Sequence, residues 1–205
     1  MKKIFLIAIV LLNYGCITAQ QNQIKLRAAY SSKDQDIRQL LKFEGIETVN
    51  LLFSGKQLKG KEYTILIKEF TNGSLSKIDT LISSKIDSYI QPIDTSFFKF
   101  KLYIKTQIDN KIKMTSIFDR FSTTKFYDIK KPKDKYALHS FLNGSTPLEI
   151  SVGKPTYVLG YFLPYLEKET GWKKYCDVSG SKYNPEEWGK VFSIPNYFLV
   201  EVTFE

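Results

Sequence analysis

Few side chains in this 205-residue sequence are suited to covalent or acid–base chemistry. His139 is the sole histidine, set in Tyr136-Ala137-Leu138-His139-Ser140-Phe141, and no Gly-x-Ser-x-Gly turn supplies a serine nucleophile for it. A solitary histidine of this kind reads first as a structural residue. With Cys16 and Cys176 the only cysteines, a zinc site would need mainly carboxylate ligands, an uncommon set, so no metal is expected. No glycine-rich loop resembles a phosphate cradle, and no cofactor is expected either. Acids do remain, because Glu167, Glu169, Glu186, Glu187 and Glu201 are separated in sequence yet can meet in a fold to cleave a glycosidic bond. Glu186 and Glu187 follow Asn184-Pro185, however, where acids stabilise a helix start through its dipole. The sequence therefore excludes the familiar catalytic constellations and leaves a carboxylate-dependent hydrolase as a secondary reading.

Binding chemistry is better represented. Lys99, Lys101, Lys105, Lys111 and Lys113 recur at alternating positions, a spacing that would place them on one face of a hairpin. Residues 96–135 hold 11 basic and 4 acidic residues, while the whole chain carries a net charge of +9. Such a face suits an anionic partner: an acidic protein surface, lipid headgroups or an acidic glycan. The alternative reading is that lysines on an exposed strand protect a sheet edge from pairing with other chains. A second stretch collects Tyr157, Tyr161, Tyr165, Trp172, Tyr175, Tyr183 and Trp188. Within it Trp172, Tyr175, Tyr183 and Trp188 are the candidate platform for a sugar, whose apolar face stacks on aromatic rings. The same residues can equally fill a β-rich core. Trp172 is the ring expected to be exposed, because Gly171, Lys173 and Lys174 surround it.

The elements that must carry these side chains are mostly strands. In Phe98-Lys99-Phe100-Lys101-Leu102-Tyr103-Ile104-Lys105 the apolar residues share one face, and Lys111-Ile112-Lys113-Met114 resumes the alternation. A three-residue loop, Ile108-Asp109-Asn110, puts Gln107 opposite Lys111, Ile104 opposite Met114 and Phe100 opposite Phe118. A two-residue loop would instead set Lys105 against Met114, so the pattern selects the odd loop. In the selected register Lys105 faces Lys113, a like-charge pair that must be solvated or used. A second hairpin is predicted over 62–70 and 75–82, closed by Asn72-Gly73. Further strands are expected over 24–30, 46–53, 125–129, 156–162 and 197–204. Helix is scarce: Ser32 and Gln35 have the spacing of a capping box before Ile37, Leu40 and Leu41, and Asn184-Pro185 opens another short one. Many short strands with few crossover helices predict a mainly β fold, an antiparallel β-sandwich or open barrel with one or two short helices.

The chain start has a different composition. Lys2 and Lys3 precede an apolar run over 4–12, followed by small and polar residues, the layout of a secretory signal over 1–19. The run is too short to span a membrane, which takes about 20 apolar residues. It resembles the signals of small envelope proteins of Gram-negative bacteria, a resemblance that bears on location and not on chemistry. Cleavage after Ala19 is one expectation. Cleavage before Cys16, with lipid attached to it, is the other, although Asn13 and Tyr14 depart from a lipoprotein pattern. Either route leaves Cys176 as the one thiol, expected to be buried and inert. The remaining residues 20–205, without low-complexity tracts or repeats, read as a single β-rich domain with a core large enough to fold without disulfides. The expectation is an exported, periplasmic or envelope-attached protein without a transmembrane helix. Its role would be non-catalytic, an accessory or inhibitory (immunity-type) protein acting on a protein partner, with a glycan-binding module as the alternative and nucleic acid excluded by export.

Overall fold

Strand alternation becomes architecture in the computed structural model, which describes residues 23–205 apart from 131, 133 and 143. The expected signal over 1–19 and the lipidation candidate Cys16 lie outside the described residues, as does the side chain of Cys176. One sheet (sheet A) contains β1 (Gln23–Tyr30), β2 (Ile46–Ser54), β5 (Phe97–Thr106), β6 (Lys111–Ile117), β7 (Ser122–Asp128) and β9 (Leu148–Ser151), in the order β7-β6-β5-β2-β1-β9. The other (sheet B) contains β3 (Tyr63–Thr71), β4 (Ser74–Ser83), β8 (Ala137–Ser140), β10 (Thr156–Phe162) and β13 (Asn196–Phe204), ordered β4-β3-β13-β10-β8. A small hairpin of β11 (Tyr165–Leu166) and β12 (Lys173–Lys174) stands apart. Every pairing is antiparallel, and the two sheets stack as a β-sandwich.

The inner faces interlock through aromatic rings. Phe53 of β2 meets Phe204 of β13 edge-on at 5.2 Å, and Phe98 of β5 lies 4.5 Å from Tyr63 of β3. Edge-to-face contacts of this kind contribute about 1 kcal/mol each beyond the area they bury. Along one side, the edge strands of the two sheets are clamped by charge: Lys125 of β7 reaches Asp79 of β4 at 3.1 Å, and the Tyr127 hydroxyl donates to the same carboxylate at 3.2 Å.

Both predicted hairpins form. Ile104 pairs with Met114 and Lys105 with Lys113, and the Gln107 N–H donates to Lys111 across a loop in which Asn110 takes a φ of 60°. The left-handed residue is what a three-residue loop requires. Asn72 and Gly73, with φ of 51° and 76°, close β3 onto β4 in a two-residue turn. The first helix, α1 (Gln35–Phe43), differs from expectation at its start: Asp34, not Ser32, caps it by accepting from the Ile37 N–H at 3.0 Å. Asp34 immediately precedes the first helical residue and so reaches the free N–H groups, while Ser32 accepts from Asp34 one turn earlier. Strands β8 and β9 were not anticipated, since four residues are too few for alternation to register. The predicted second start holds: Asn184 caps a 3₁₀ turn over Pro185–Glu187 that leads into α3 (Trp188–Val191), after α2 (Cys176–Ser179). Among the described residues no helix is long and apolar enough to cross a membrane.

Candidate functional site

Strand register determines where the lysines point. Phe100, Leu102, Ile104, Ile112 and Met114 are buried between the sheets, so Lys99, Lys101, Lys105, Lys111 and Lys113 project from the outer face of sheet A. Lys25 and Arg27 of β1 project the same way, because Ile24 and Leu26 take the inner face. The strands carrying the five lysines, β5 and β6, are interior to the sheet, with β7 as the edge. Edge protection is therefore not the reason for these lysines, since a strand paired on both sides has no free backbone to guard.

Charge on this face is only partly neutralised. Lys99 pairs with Asp119 at 3.2 Å, Lys105 with Glu44 at 2.7 Å and Lys111 with Asp109 at 3.8 Å. Glu44, at the end of α1, relieves the like-charge pair of Lys105 and Lys113. Lys101 and Lys113 make no ion pair among the described residues, and the Lys101 ammonium lies 5.7 Å from the Tyr103 ring centre. Exposed apolar side chains alternate with them: Phe126 sits across from Lys113, Ile117 across from Lys101, and Leu52 across from Lys99. Cations interleaved with apolar surface can supply both steering and desolvation to a protein contact.

The aromatic candidates separate. Trp188, proposed from sequence as part of a platform, is only 1% exposed and cannot stack on a ligand. It lies on the outer face of sheet B against Gly160, Phe162 and Phe141, with ring centres 5.1 Å from Phe162 and 5.4 Å from Phe141. A Cβ at Gly160 would come within 3.0 Å of the indole, so the missing side chain makes room for it. Tyr175 is also committed inward, beside His139 and Phe162, and donates its hydroxyl to the Lys135 carbonyl. Tyr183 is exposed and meets Phe192 edge-on. Trp172, at the tip of the β11–β12 hairpin, is 70% exposed as expected. No ring contact joins Trp172 to Tyr183 among the described residues.

Two of the five candidate acids do meet, around a lysine. Lys68 of β3 lies 2.9 Å from Glu201 of β13 and 3.5 Å from Glu186, and it also donates to the Tyr157 hydroxyl at 2.9 Å. Tyr157 in turn donates to Glu186, and burial together with that carboxylate pushes its hydroxyl far above the ordinary tyrosine range. The Lys68 ammonium stands against both carboxylates and offsets one of their two charges, so the group is an ion-pair clamp on the outer face of sheet B. Glu167 is occupied by Lys174 and Thr170 in the β11–β12 hairpin. His139 packs beside Phe162 and Tyr175, and burial lowers its imidazole pKa. Among the described residues no three His, Cys, Asp or Glu side chains cluster as a metal site.

The clamp escaped the sequence reading, although Glu201 standing inside Phe198-Leu199-Val200-Glu201-Val202 was its signal. An acid in an otherwise apolar strand implies a buried partner. No family model matches the chain, and no curated protein or solved structure matches it.

Proposed function

We propose that the protein is a non-catalytic binding domain of the β-sandwich class that acts outside the cytoplasm. Its particular role on this reading is that of an accessory or inhibitory protein, of the immunity type, which holds an acidic protein partner on the outer face of sheet A. The observation that carries this is the outer face of sheet A, on which Lys101 and Lys113 stand unpaired among the described residues, with Phe126, Ile117 and Leu52 exposed at neighbouring strand positions. A solvated lysine face needs no apolar residues, whereas a protein contact draws on both. Export rests on the signal-like residues 1–19.

The exposure of Trp172 supports a second reading, a glycan-binding module that uses this ring with Tyr183. One experiment separates the two. The tagged chain from residue 20 onward is used to capture material from envelope extract, with the eluate divided for mass spectrometry and glycan analysis. A stoichiometric acidic protein that is lost with Lys101→Glu, Lys105→Glu and Lys113→Glu but retained with Trp172→Ala is the expected outcome. Recovered polysaccharide lost with Trp172→Ala would overturn the protein-partner reading in favour of the second.

A further inference from the structure

Backbone hydrogen bonds gather one end of the sandwich into a single surface. The Gly55 N–H donates to Ser96, the Ile93 N–H to Lys61, and the Gly153 N–H to Phe204, which draws the segments near 55–61, 84–97 and 153–155 together. Between the 89–99 segment and the 118–121 turn lies a cavity of about 390 Å³ lined by Tyr89, Phe97, Phe121 and Arg120. Beyond its mouth the apolar side chains extend into solvent: Ile86 is 79% exposed and Tyr89 92%. Lys56, Lys59, Arg120 and Lys154 are exposed at the same end and make no ion pairs among the described residues. Lys85 and Lys99 are already paired, with Glu205 and Asp119.

Asp87 and Asp94 are exposed there too, but Lys56, Lys59, Arg120 and Lys154 outnumber them, and protruding apolar and aromatic tips within a net basic surround suit a bilayer interface, where rings settle at headgroup level and lysines meet anionic lipid. The opposite end also exposes apolar surface, on α1, where Phe43 is 83% exposed. The path of the chain distinguishes the two ends. β1 begins at Gln23, whose carbonyl lies beside Gly55, so the chain enters at the Ile86–Tyr89 end. Six residues separate Cys16 from Gln23. Fully extended, such a linker reaches only about 20 Å, so a lipid on Cys16 would hold this end close to the membrane.

We infer that this end of the sandwich is a membrane-facing surface, which seats Ile86 and Tyr89 in the interface of an anionic bilayer with Arg120, Lys56, Lys59 and Lys154 over the headgroups. It takes from the export reading only the tether. The basic face of sheet A then stands sideways to the membrane, open to a partner.

The test supplies the tether chemically. The chain from residue 20, carrying an N-terminal histidine tag and Cys176→Ser, is bound to vesicles of phosphatidylethanolamine, phosphatidylglycerol and a nickel-chelating lipid. An environment-sensitive fluorophore is placed at Ile86→Cys or, separately, at Phe43→Cys. A blue shift at position 86, quenched by acyl-chain nitroxide lipids, with no change at position 43, is expected. Equal responses at the two positions, a response at 43 alone, or no response at 86 would overturn the inference. Adding Lys101→Glu and Lys113→Glu leaves the vesicle result unchanged, so failure of the partner reading remains distinguishable from failure of this one.

Discussion

The two sheets present opposite outer faces to their surroundings, and the contrast shows where this chain keeps a surface open. On sheet B the segment 163–195 folds back over the strands, Trp188 plugs the space above Gly160, and Gly189 lies against Gly73 of the β3–β4 turn. Its central strand β13 is accordingly apolar on both faces from Tyr197 to Val202 except at Glu201, which Lys68 neutralises. On sheet A nothing comparable covers the strands among the described residues, and β5 alternates over 98–105 between phenylalanine or aliphatic residues inward and lysine or tyrosine outward. A covered face is stabilised by packing and tolerates a charge only as part of a clamp; an open face can carry unpaired cations because water solvates them.

The sharpest way to break this contrast is Trp188→Ala. Removing an indole that is only 1% exposed should cost about 3–5 kcal/mol, read as a lower midpoint in urea. A loss near zero would mean that the cover contributes nothing. Next in size is Lys68→Met, which leaves Glu201 buried without its partner and should cost about 2–3 kcal/mol. The double variant Lys68→Met with Glu201→Met should recover most of that loss, and an additive cost would show that the clamp is not a coupled unit.

A smaller effect, of defined sign, is expected where the sheets part at the α1 end. There Glu47 projects from β2 and accepts from the Leu138 N–H at 2.9 Å. Burial raises its carboxyl pKa above the ordinary value, partly opposed by that hydrogen bond. The folded state therefore holds the proton more tightly than the unfolded chain, and stability is lost as pH rises from the ordinary carboxylate range through the raised value. Glu47→Gln keeps an acceptor and removes the charge. It should raise the melting temperature at neutral pH and leave it unchanged in acid, and the same shift at both pH values would refute the assignment. Least affected should be the open face: Lys101→Glu with Lys113→Glu should stay within about 0.5 kcal/mol of the parent, so that any loss of partner capture reports on contact rather than on folding.

Much of this was legible from local pattern. The alternation in 98–105 determined both the burial of Phe100, Leu102 and Ile104 and the outward projection of Lys99, Lys101 and Lys105, because side chains on a strand alternate whatever lies around it. The loop Ile108-Asp109-Asn110 determined the register, since a slip of one residue would have turned every buried side chain outward. Asn72-Gly73 and Asn184-Pro185 marked their turns by backbone preference alone. What the sequence could not settle was which aromatic rings face solvent. Trp172 and Trp188 are the same residue type sixteen positions apart, yet one stands at a hairpin tip and the other fills the space above Gly160. Nor could it show that β5 and β6 are interior strands, or that Lys68 stands among Tyr157, Glu186 and Glu201. Exposure of a ring, position within a sheet and the partner of a buried charge all depend on contacts between segments far apart in the chain, and those exist only once the two sheets have closed on each other.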